Sequence, residues 1–242
     1  MNQTSVPQAG FHATSGEDKE QAERIKRMFT SLVPRNDLAN FLLSMGRDRS
    51  GRRRVARQMA PGPGERALDL ACGTGELTRK LLQGGGQVVG ADFTHAMLVK
   101  ARSVPGRPLL LADADALALP FPDETFQQVT VAFGVRNFAD LGQGLAEIRR
   151  VLKSGGCLGV LEFSRPQGIL GFPARLYVKH LLPVLGRIIT GRAGPYGYLA
   201  STISRWPAPS VLAQFFRDAG FHRVTWARLT GGVAVLHTAW RP

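Results

Sequence analysis

The segment Ala67–Thr78, ALDLACGTGELT, constrains this chain more than any other. It predicts an apolar strand, a glycine turn and the start of a helix, in that order. Gly73 and Gly75 carry no Cβ, so the backbone can bend sharply and approach a ligand closely. The free N–H groups at the start of the helix then face that ligand. Such a segment opens the nucleotide pocket of doubly wound α/β folds, although a glycine turn after a strand can also be purely structural.

The rest of the chain alternates between strand and helix patterns, which predicts a mostly parallel sheet with helices on both faces. The predicted strands are Arg66–Ala71, Gln87–Asp92, Pro108–Asp113, Phe126–Phe133 and Cys157–Phe163, then a terminal hairpin of His222–Leu229 and Val233–Trp240. The predicted helices are Glu76–Leu82, Thr94–Ser103 with a Thr cap, Leu141–Leu152 closed by Gly155 and Gly156, and Val211–Ala219. The terminal hairpin is unlike an ordinary dinucleotide-binding fold.

Three further segments complete the predicted organisation. Residues 1–20 are polar and predict a disordered leader, and residues 21–60 predict a helical extension. Prolines and glycines at 61–64 separate that extension from an α/β domain over residues 61–242. Residues 167–209 are too long for a simple connection and predict a helical insertion before the hairpin. This insertion is apolar with scattered basic residues, so we expect a substrate lid, with an ordinary helical cap as the alternative.

The chain has a net charge of +13, and much of the excess lies in the segment Arg47–Arg57. Anionic membrane surface, nucleic acid or a simple solvated helix face would each account for it. Nucleic acid is the weakest of these partners, because the basic segment contains no aromatic residue for base stacking. The N-terminus lacks the apolar core of a signal peptide, and the two cysteines show no metal spacing, so we expect a cytoplasmic protein without a metal.

The residues around the glycine turn predict which nucleotide is bound. Asp92, about twenty residues after the turn, is placed to accept two hydroxyl protons from a ribose diol, which NAD and S-adenosylmethionine share. Asp69 could take the ammonium of a methionine group, whereas a pyrophosphate would not favour it. Thr78 stands where a dinucleotide pattern has its third glycine. Asp115 and Ala116 are placed to meet an adenine ring. These features favour S-adenosylmethionine.

The chain resembles the class I S-adenosylmethionine-dependent methyltransferases and, more narrowly, the ubiquinone/menaquinone biosynthesis C-methyltransferases. The resemblance runs from about Gln21 to the C-terminus. It rests on the motifs DLACGTGELT, GADFTHAML, ADALALPFPDETF, FGVRNF, RRVLKSGG, LEFSRP, YLASTISRWP and GGVAVLHTAW. It implies a Rossmann-like seven-stranded sheet with the last strand antiparallel, and a methyltransferase domain over residues 61–242.

The resemblance also implies transfer of a methyl group to a ring carbon of a polyprenylated quinol. The implied cofactor residues are Asp69, Gly73, Thr74, Gly75, Asp92, Asp115, Ala116 and Ala132. A quinol ring carbon becomes nucleophilic when a phenolic proton leaves. Arg136 and Asn137 follow strand four and are our catalytic candidates: Arg136 as a fixed cation beside the phenolate, Asn137 as the group that orients the oxygen. The candidates for the quinol pocket are Tyr198, Arg205 and His237.

Two departures from the family pattern bear on the acceptor. Asn36–Asp37 replaces a Tyr-Asp pair, and Gly51–Arg52 replaces a Trp-Arg pair, in the region expected to enclose the acceptor ring. The expected acceptor is demethylmenaquinol, with a methoxy-polyprenyl-benzoquinol or another lipid-like or phenolic molecule as alternatives. We further expect contact with an anionic inner membrane face, no nucleic-acid partner, and self-association as an open alternative. Glu162 is expected to face the cleft or to pair with Arg165.

Overall fold

The structure is a computed structural model that describes residue 30 and residues 48–164, 206–229 and 232–242. Several sequence-based expectations therefore lie outside the described residues. They are the leader at 1–20, most of the extension at 21–60, nearly all of the insertion at 167–209, and the pocket candidates Tyr198 and Arg205.

The described residues form one seven-stranded sheet in the order β3-β2-β1-β4-β5-β7-β6. Strands β1 to β5 are parallel to one another, and β7 is antiparallel to both β5 and β6. The strands are β1 Arg66–Leu70, β2 Gln87–Asp92, β3 Leu110–Asp113, β4 Phe126–Ala132, β5 Leu152–Phe163, β6 His222–Leu229 and β7 Ala234–Trp240. The α-helices are α1 Asp48–Met59, α2 Glu76–Leu81, α3 His95–Ser103, α4 Leu141–Val151 and α5 Pro209–Asp218. The predicted sheet, including its antiparallel last strand, is confirmed.

Helices cover both faces of the sheet because neighbouring strand residues point to opposite sides. On β1, Ala67 packs into a cluster with α1 and α2, whereas Leu68 and Leu70 pack into a second cluster with α4 and α5. Strand β5 divides in the same way, with Leu161 on the α1 side and Val160 on the α4 side. The parallel strands β1, β4 and β5 are therefore buried on both faces, as their apolar sequences predict.

One predicted helix end is wrong, and one predicted helix cap is confirmed in position but not in its hydrogen bond. Gly155 and Gly156 do not close the fourth helix, because α4 ends at Val151 and Leu152 already pairs with Phe126 as the first residue of β5. The glycines lie instead where the β4–β5 register shifts, and Gly155 has a φ of 72°. Thr94 occupies the N-cap position of α3, but its side chain makes no capping hydrogen bond. Its backbone N–H donates to the Asp92 carboxylate, a contact that ties the start of α3 to the end of β2.

Helix α1 accounts for part of the basic segment. Its buried positions, Val55 and Met59 among them, pack towards the sheet, and Arg53, Arg54 and Arg57 are exposed. Arg52, on the same helix, is only 7% exposed. The expectation of a solvated basic face therefore holds for three of these arginines, while the fourth points into the protein.

Helix α2 approaches the sheet closely over a glycine. A Cβ on Gly90 of β2 would lie 3.1 Å from the Thr78 hydroxyl and 3.1 Å from the Cys72 sulfur. Thr78 is fully buried at that contact, and its hydroxyl donates to Asp69 at 2.6 Å. The third position of the glycine pattern can therefore carry the polar side chain of Thr78, because Gly90 on the strand below has no side chain and leaves room for it.

Candidate active site

A cavity of about 340 Å³ lies at the carboxyl ends of β1, β2 and β4. This is where ligands bind in open α/β sheets, because the strand order reverses between β1 and β4. The loops that follow these strands, together with α1 and α2, supply its walls. Its lining includes the predicted residues Asp69, Gly73, Thr74, Asp92, Asp115, Ala116, Ala132, Arg136 and Asn137.

The glycine turn forms the floor of this cavity in a left-handed conformation. Ala71, Gly73 and Gly75 have φ values of 57°, 55° and 76°. Gly75 does not line the cavity but is needed behind it, since a Cβ there would lie 2.6 Å from Leu109. Arg79 braces the turn from outside by donating to the Thr74 carbonyl at 2.8 Å and to the Ala101 carbonyl at 2.6 Å. The turn is thus held in shape without help from a ligand.

Asp92 is tied to the turn and to helix α3 at once. One carboxylate oxygen accepts from the Gly73 N–H at 2.8 Å, and the other accepts from the Thr94 N–H at 2.8 Å. Burial raises the pKa of Asp92, while these two hydrogen bonds act in the opposite direction. The Thr94 side chain also donates to this carboxylate, so three of its four acceptor sites are used within the chain. The side chain is therefore held in place, with one acceptor site left for a ligand hydroxyl.

Asp69 lies at the deep end of the cavity and is 1% exposed. The hydroxyls of Thr78 and Thr130 donate to its two oxygens at 2.6 Å and 3.1 Å. Burial raises its pKa to about 6, against those hydrogen bonds and the positive charge of Arg52. A carboxyl group in this setting is stabilised by a cation that enters the cavity.

The loop after β3 carries Asp115 and Ala116 along the cavity wall, and helix α4 holds this loop in place. Glu147 accepts from the Leu119 N–H at 2.7 Å. Arg150 donates to the Leu119 carbonyl at 2.9 Å and to the Phe121 carbonyl at 2.8 Å, and also pairs with Glu147 and Asp123. The 114–123 loop, which carries the two residues expected to meet an adenine ring, is therefore clamped through its backbone at Leu119 and Phe121.

Arg136 and Asn137 lie on a 3₁₀ turn, Val135–Asn137, at the end of β4. Arg136 Nη1 donates to Glu162 Oε1 at 2.6 Å and to the Phe133 carbonyl at 2.6 Å. Glu162 therefore forms a buried pair with Arg136 that the sequence did not predict, and Arg165, the partner expected there, lies outside the described residues. Arg136 is consequently a neutralised cation, because Glu162 balances its charge. Asn137 lines the cavity, and its Oδ1 is buried without a hydrogen-bond partner among the described residues.

Sequence reasoning did not assign two groups at this cavity, Phe133 and Arg52. Phe133 has a φ of 60°, a strained value for a residue with a bulky side chain, and its ring packs 4.4 Å from that of Phe163. Arg52 lies over the Phe133 ring at 5.3 Å and pairs with Glu76 at 3.1 Å. The strain at Phe133 leaves no trace in the sequence, and the sequence pattern singles out Arg52 only within the Gly51–Arg52 pair, which it links to the acceptor rather than to the cofactor.

His237 lies away from the cavity lining. Its side chain is buried on β7 beneath α5, where Nε2 donates to the Pro209 carbonyl at 3.0 Å. The Phe216 and Trp226 rings flank the imidazole, and burial lowers its pKa. Among the described residues His237 therefore makes a structural contact at the start of α5, and its role in the quinol pocket stays a prediction.

The residues of this cavity suit S-adenosylmethionine. The cavity volume falls in the range typical of small-molecule sites. Three of its four described carboxylates are distributed along the wall as a ligand with an ammonium, a ribose diol and an adenine would require: Asp69, Asp92 and Asp115. The fourth, Glu76, pairs with Arg52 and Lys80. Within the described ranges, no group of three His, Cys, Asp or Glu side chains could hold a metal ion. Nor is any described helix long and apolar enough to cross a membrane.

Comparison with known proteins decides the family. The model of the ubiE/COQ5 methyltransferase family matches residues 17–241. The chain belongs to the ubiE/COQ5 methyltransferase family. It is 46% identical to demethylmenaquinone methyltransferase of Thermus thermophilus over 89% of this chain and 100% of that one. It is 44% identical to demethylmenaquinone methyltransferase of Deinococcus radiodurans over 90% and 93% of the two chains.

The fold has a wider distribution than the family. An S-adenosylmethionine-dependent methyltransferase from Thermotoga maritima superposes with a TM-score of 0.62 at 17% identity, over 89% of this chain and 100% of that one. That likeness confirms the class I methyltransferase fold. Together with the family membership, it makes this ubiE/COQ5 protein an S-adenosylmethionine-dependent methyltransferase.

Proposed function

We propose that the protein methylates a ring carbon of demethylmenaquinol, giving menaquinol. The observation that carries this proposal is similarity over nearly the whole chain to two enzymes named demethylmenaquinone methyltransferase, at 44% and 46% identity. The cavity supports it, because cofactor-type residues on the β1 and β2 side face the Arg136–Asn137 turn on the β4 side. Donor and acceptor would thus meet within one enclosed space.

The main task of the protein in this reaction is to align the methyl donor with the acceptor carbon. S-adenosylmethionine supplies an electrophilic methyl group on a sulfonium, and the acceptor carbon attacks in line with the bond that breaks. Holding two reactants in this geometry contributes on the order of 7–11 kcal/mol to the lowering of a barrier. The acceptor must be reduced, because the ring carbon gains electron density only as a phenolic proton leaves. A phenol has a pKa of about 10, so the site should favour the anion.

We assign Arg136 and Asn137 to this task. An arginine stays protonated at physiological pH, so Arg136 would stabilise the developing phenolate rather than take its proton. Its pairing with Glu162 holds the guanidinium in place and makes the pair neutral as a whole. Stabilisation would then come from a directed N–H group more than from a free cation. Asn137 would accept or donate a hydrogen bond to the same ring oxygen, or to a water that takes the proton.

The test is transfer of labelled methyl. Purified protein is incubated with methyl-labelled S-adenosylmethionine and chemically reduced demethylmenaquinone, and the extracted lipid is examined for label in the ring. Labelled menaquinone is the expected product, and the oxidised quinone should stay unlabelled. If the cofactor binds but no label appears in the naphthoquinol, this acceptor is wrong. A parallel incubation with reduced methoxy-polyprenyl-benzoquinone tests the ubiquinone alternative.

We also propose that the protein works in the cytoplasm at the inner face of the membrane. A polyprenylated acceptor resides in the bilayer, and the exposed face of α1 presents Arg53, Arg54 and Arg57. Each such charge near an anionic surface contributes about 1 kcal/mol to binding. The protein should float with anionic vesicles and not with neutral ones, and changing the three arginines to Gln should weaken that association. Equal flotation of the triple variant would contradict a role for this face.

A further inference from the structure

We propose that Arg52 binds the carboxylate of the methionine group of S-adenosylmethionine, opposite Asp69, which faces its ammonium. The proposal rests on the use of this cofactor by the protein. It assigns a function to a residue of the N-terminal extension, a part of the chain that sequence reasoning linked to the acceptor rather than to the cofactor.

The first support is the position of Arg52. Its side chain is 9% exposed and forms part of the wall of the cavity, although neighbouring arginines of α1 are exposed. The guanidinium lies 5.3 Å from the centre of the Phe133 ring. Because the Phe133 ring lies against one face of the guanidinium, the N–H groups point outwards in the guanidinium plane. A planar carboxylate can accept from N–H groups arranged in this way. Helix α1 thus presents a cation to the cavity.

The second support is the charge pattern. The methionine end of the cofactor carries an anion and a cation on the same carbon. The cavity offers the complement, with a carboxylate at Asp69 and a guanidinium at Arg52. The two groups are near enough for the charge of Arg52 to act on the ionisation of Asp69. A site with both signs would accept the dipolar group and orient it.

The third support is the neighbour of Arg52. Glu76, the first residue of α2, pairs with Arg52 at 3.1 Å and with Lys80 at 3.2 Å. If Arg52 directs some of its N–H groups towards a ligand, Lys80 therefore still balances the charge of Glu76. A guanidinium has five N–H donors, enough to serve Glu76 and a ligand carboxylate together. The cation can contribute to binding without leaving Glu76 unpaired.

The experiment compares two ligands that differ only in this carboxylate. Decarboxylated S-adenosylmethionine keeps the adenine, ribose, sulfonium and ammonium. Titration calorimetry on the full chain measures the affinity of each ligand for the unmodified protein, Arg52→Gln and, as a matched control, Arg107→Gln on an exposed loop. We expect the unmodified protein to favour S-adenosylmethionine roughly ten- to a hundredfold, as for a hydrogen bond to a charged group. Arg52→Gln should abolish that preference, and Arg107→Gln should keep it.

Other results would overturn the assignment. Equal weakening of both ligands in Arg52→Gln would show a structural role, and unchanged affinities would show none. If Arg52→Gln does not fold, Arg52→Lys replaces it, and this variant should retain a reduced preference because it keeps the charge without the fork. An unmodified protein that binds S-adenosylmethionine and transfers methyl, yet does not distinguish the two ligands, contradicts the role of Arg52 alone. Failure to bind either ligand contradicts the cofactor itself.

Discussion

Glu162 Oε1 accepts a hydrogen bond from Arg136 Nη1 at 2.6 Å, and the two side chains are 1% and 4% exposed. The pair joins the end of β5 to the turn after β4, at the wall of the cavity. A buried pair of this kind carries a structural and a chemical role together, since loss of either partner leaves an uncompensated charge.

Arg136→Ala should lower both stability and turnover. Removal of one partner of a buried pair costs about 3–5 kcal/mol, because Glu162 would remain charged and buried. The double variant Arg136→Met with Glu162→Leu removes both charges and should recover most of that loss, as apolar replacements of such pairs often do. Turnover should stay low in the double variant while S-adenosylmethionine affinity changes little. Urea unfolding and methyl transfer measure the two effects, and recovery of turnover would show that Arg136 has no chemical role.

Cofactor binding should depend on pH through Asp69. Burial raises the pKa of Asp69 to about 6, above its unfolded value of about 3.9. The stabilisation due to its proton is therefore complete below about pH 4 and is lost as pH rises through about 6. Affinity runs the other way, because only the ionised carboxylate attracts the ammonium. S-adenosylmethionine binding should strengthen as pH rises through about 6.

Two variants assign that pH dependence to Asp69 rather than to Asp92, whose pKa burial also raises. Thr78→Val removes a hydrogen bond to Asp69 that favours ionisation, so the midpoint of the affinity profile should move to higher pH. Asp69→Asn should flatten the profile. Titrations between about pH 5 and about pH 8 test this, and an unmoved midpoint in Thr78→Val would rule Asp69 out.

Restoring the tryptophan of the family at position 51 should destabilise this protein. A Cβ on Gly51 would already lie 3.1 Å from Leu161, so an indole cannot enter without separating α1 from β5. Overpacking of this kind typically costs 1–3 kcal/mol, about the range expected in urea unfolding. Gln58→Trp puts the same side chain on the exposed face of α1 and should change stability by less than about 0.5 kcal/mol. A Gly51→Trp variant as stable as this control would show that α1 and β5 can move apart at little cost in stability.

A change that loosens the clamp on the 114–123 loop should weaken cofactor binding, although the changed residue, Arg150, is not part of the cavity lining. Arg150→Lys keeps the charge but cannot hold the Leu119 and Phe121 carbonyls together with Glu147. The affinity for S-adenosylmethionine should fall several-fold. The affinity for methionine alone, which lacks the adenine, should stay the same in a competition titration. Equal loss for both ligands would place the effect elsewhere in the site.

The sequence predicts the sheet well, because its evidence is local and repeated. Strand β2 has the predicted bounds, and so has β6, since each is an apolar or alternating run with clear breaks. Strand β5 begins five residues earlier than predicted, because the glycines at 155 and 156 were interpreted as a helix end although they belong to a β-irregularity. Glycine signals a change of backbone direction but does not say which element changes.

The candidate site is predictable where residues lie near the glycine turn or at the end of the next strand, as Asp69, Thr74 and Asp92 do. It is not predictable where a contact joins distant parts of the chain. Glu162 meets Arg136 across 26 positions, and Arg52 reaches the cavity from a helix outside the α/β repeat. The pairing partner of a charged side chain depends on packing, which local patterns do not contain.

The contact between Thr78 and Gly90 shows that the freedom to change one position is set by another. In a full glycine motif the small residue stands on the helix, and the strand below can carry a side chain. Here the small residue stands on the strand, so a methyl group added at Gly90 would meet the Thr78 hydroxyl at 3.1 Å. A glycine at 78 would remove that contact together with a hydrogen bond to Asp69, while the Leu111 side chain and the Cys72 sulfur would still lie 3.0 Å and 3.1 Å from the added carbon. An engineer moving this site towards a dinucleotide would therefore have to change positions 78 and 90 together with their neighbours, since a single change leaves either a clash or a poorly solvated carboxylate.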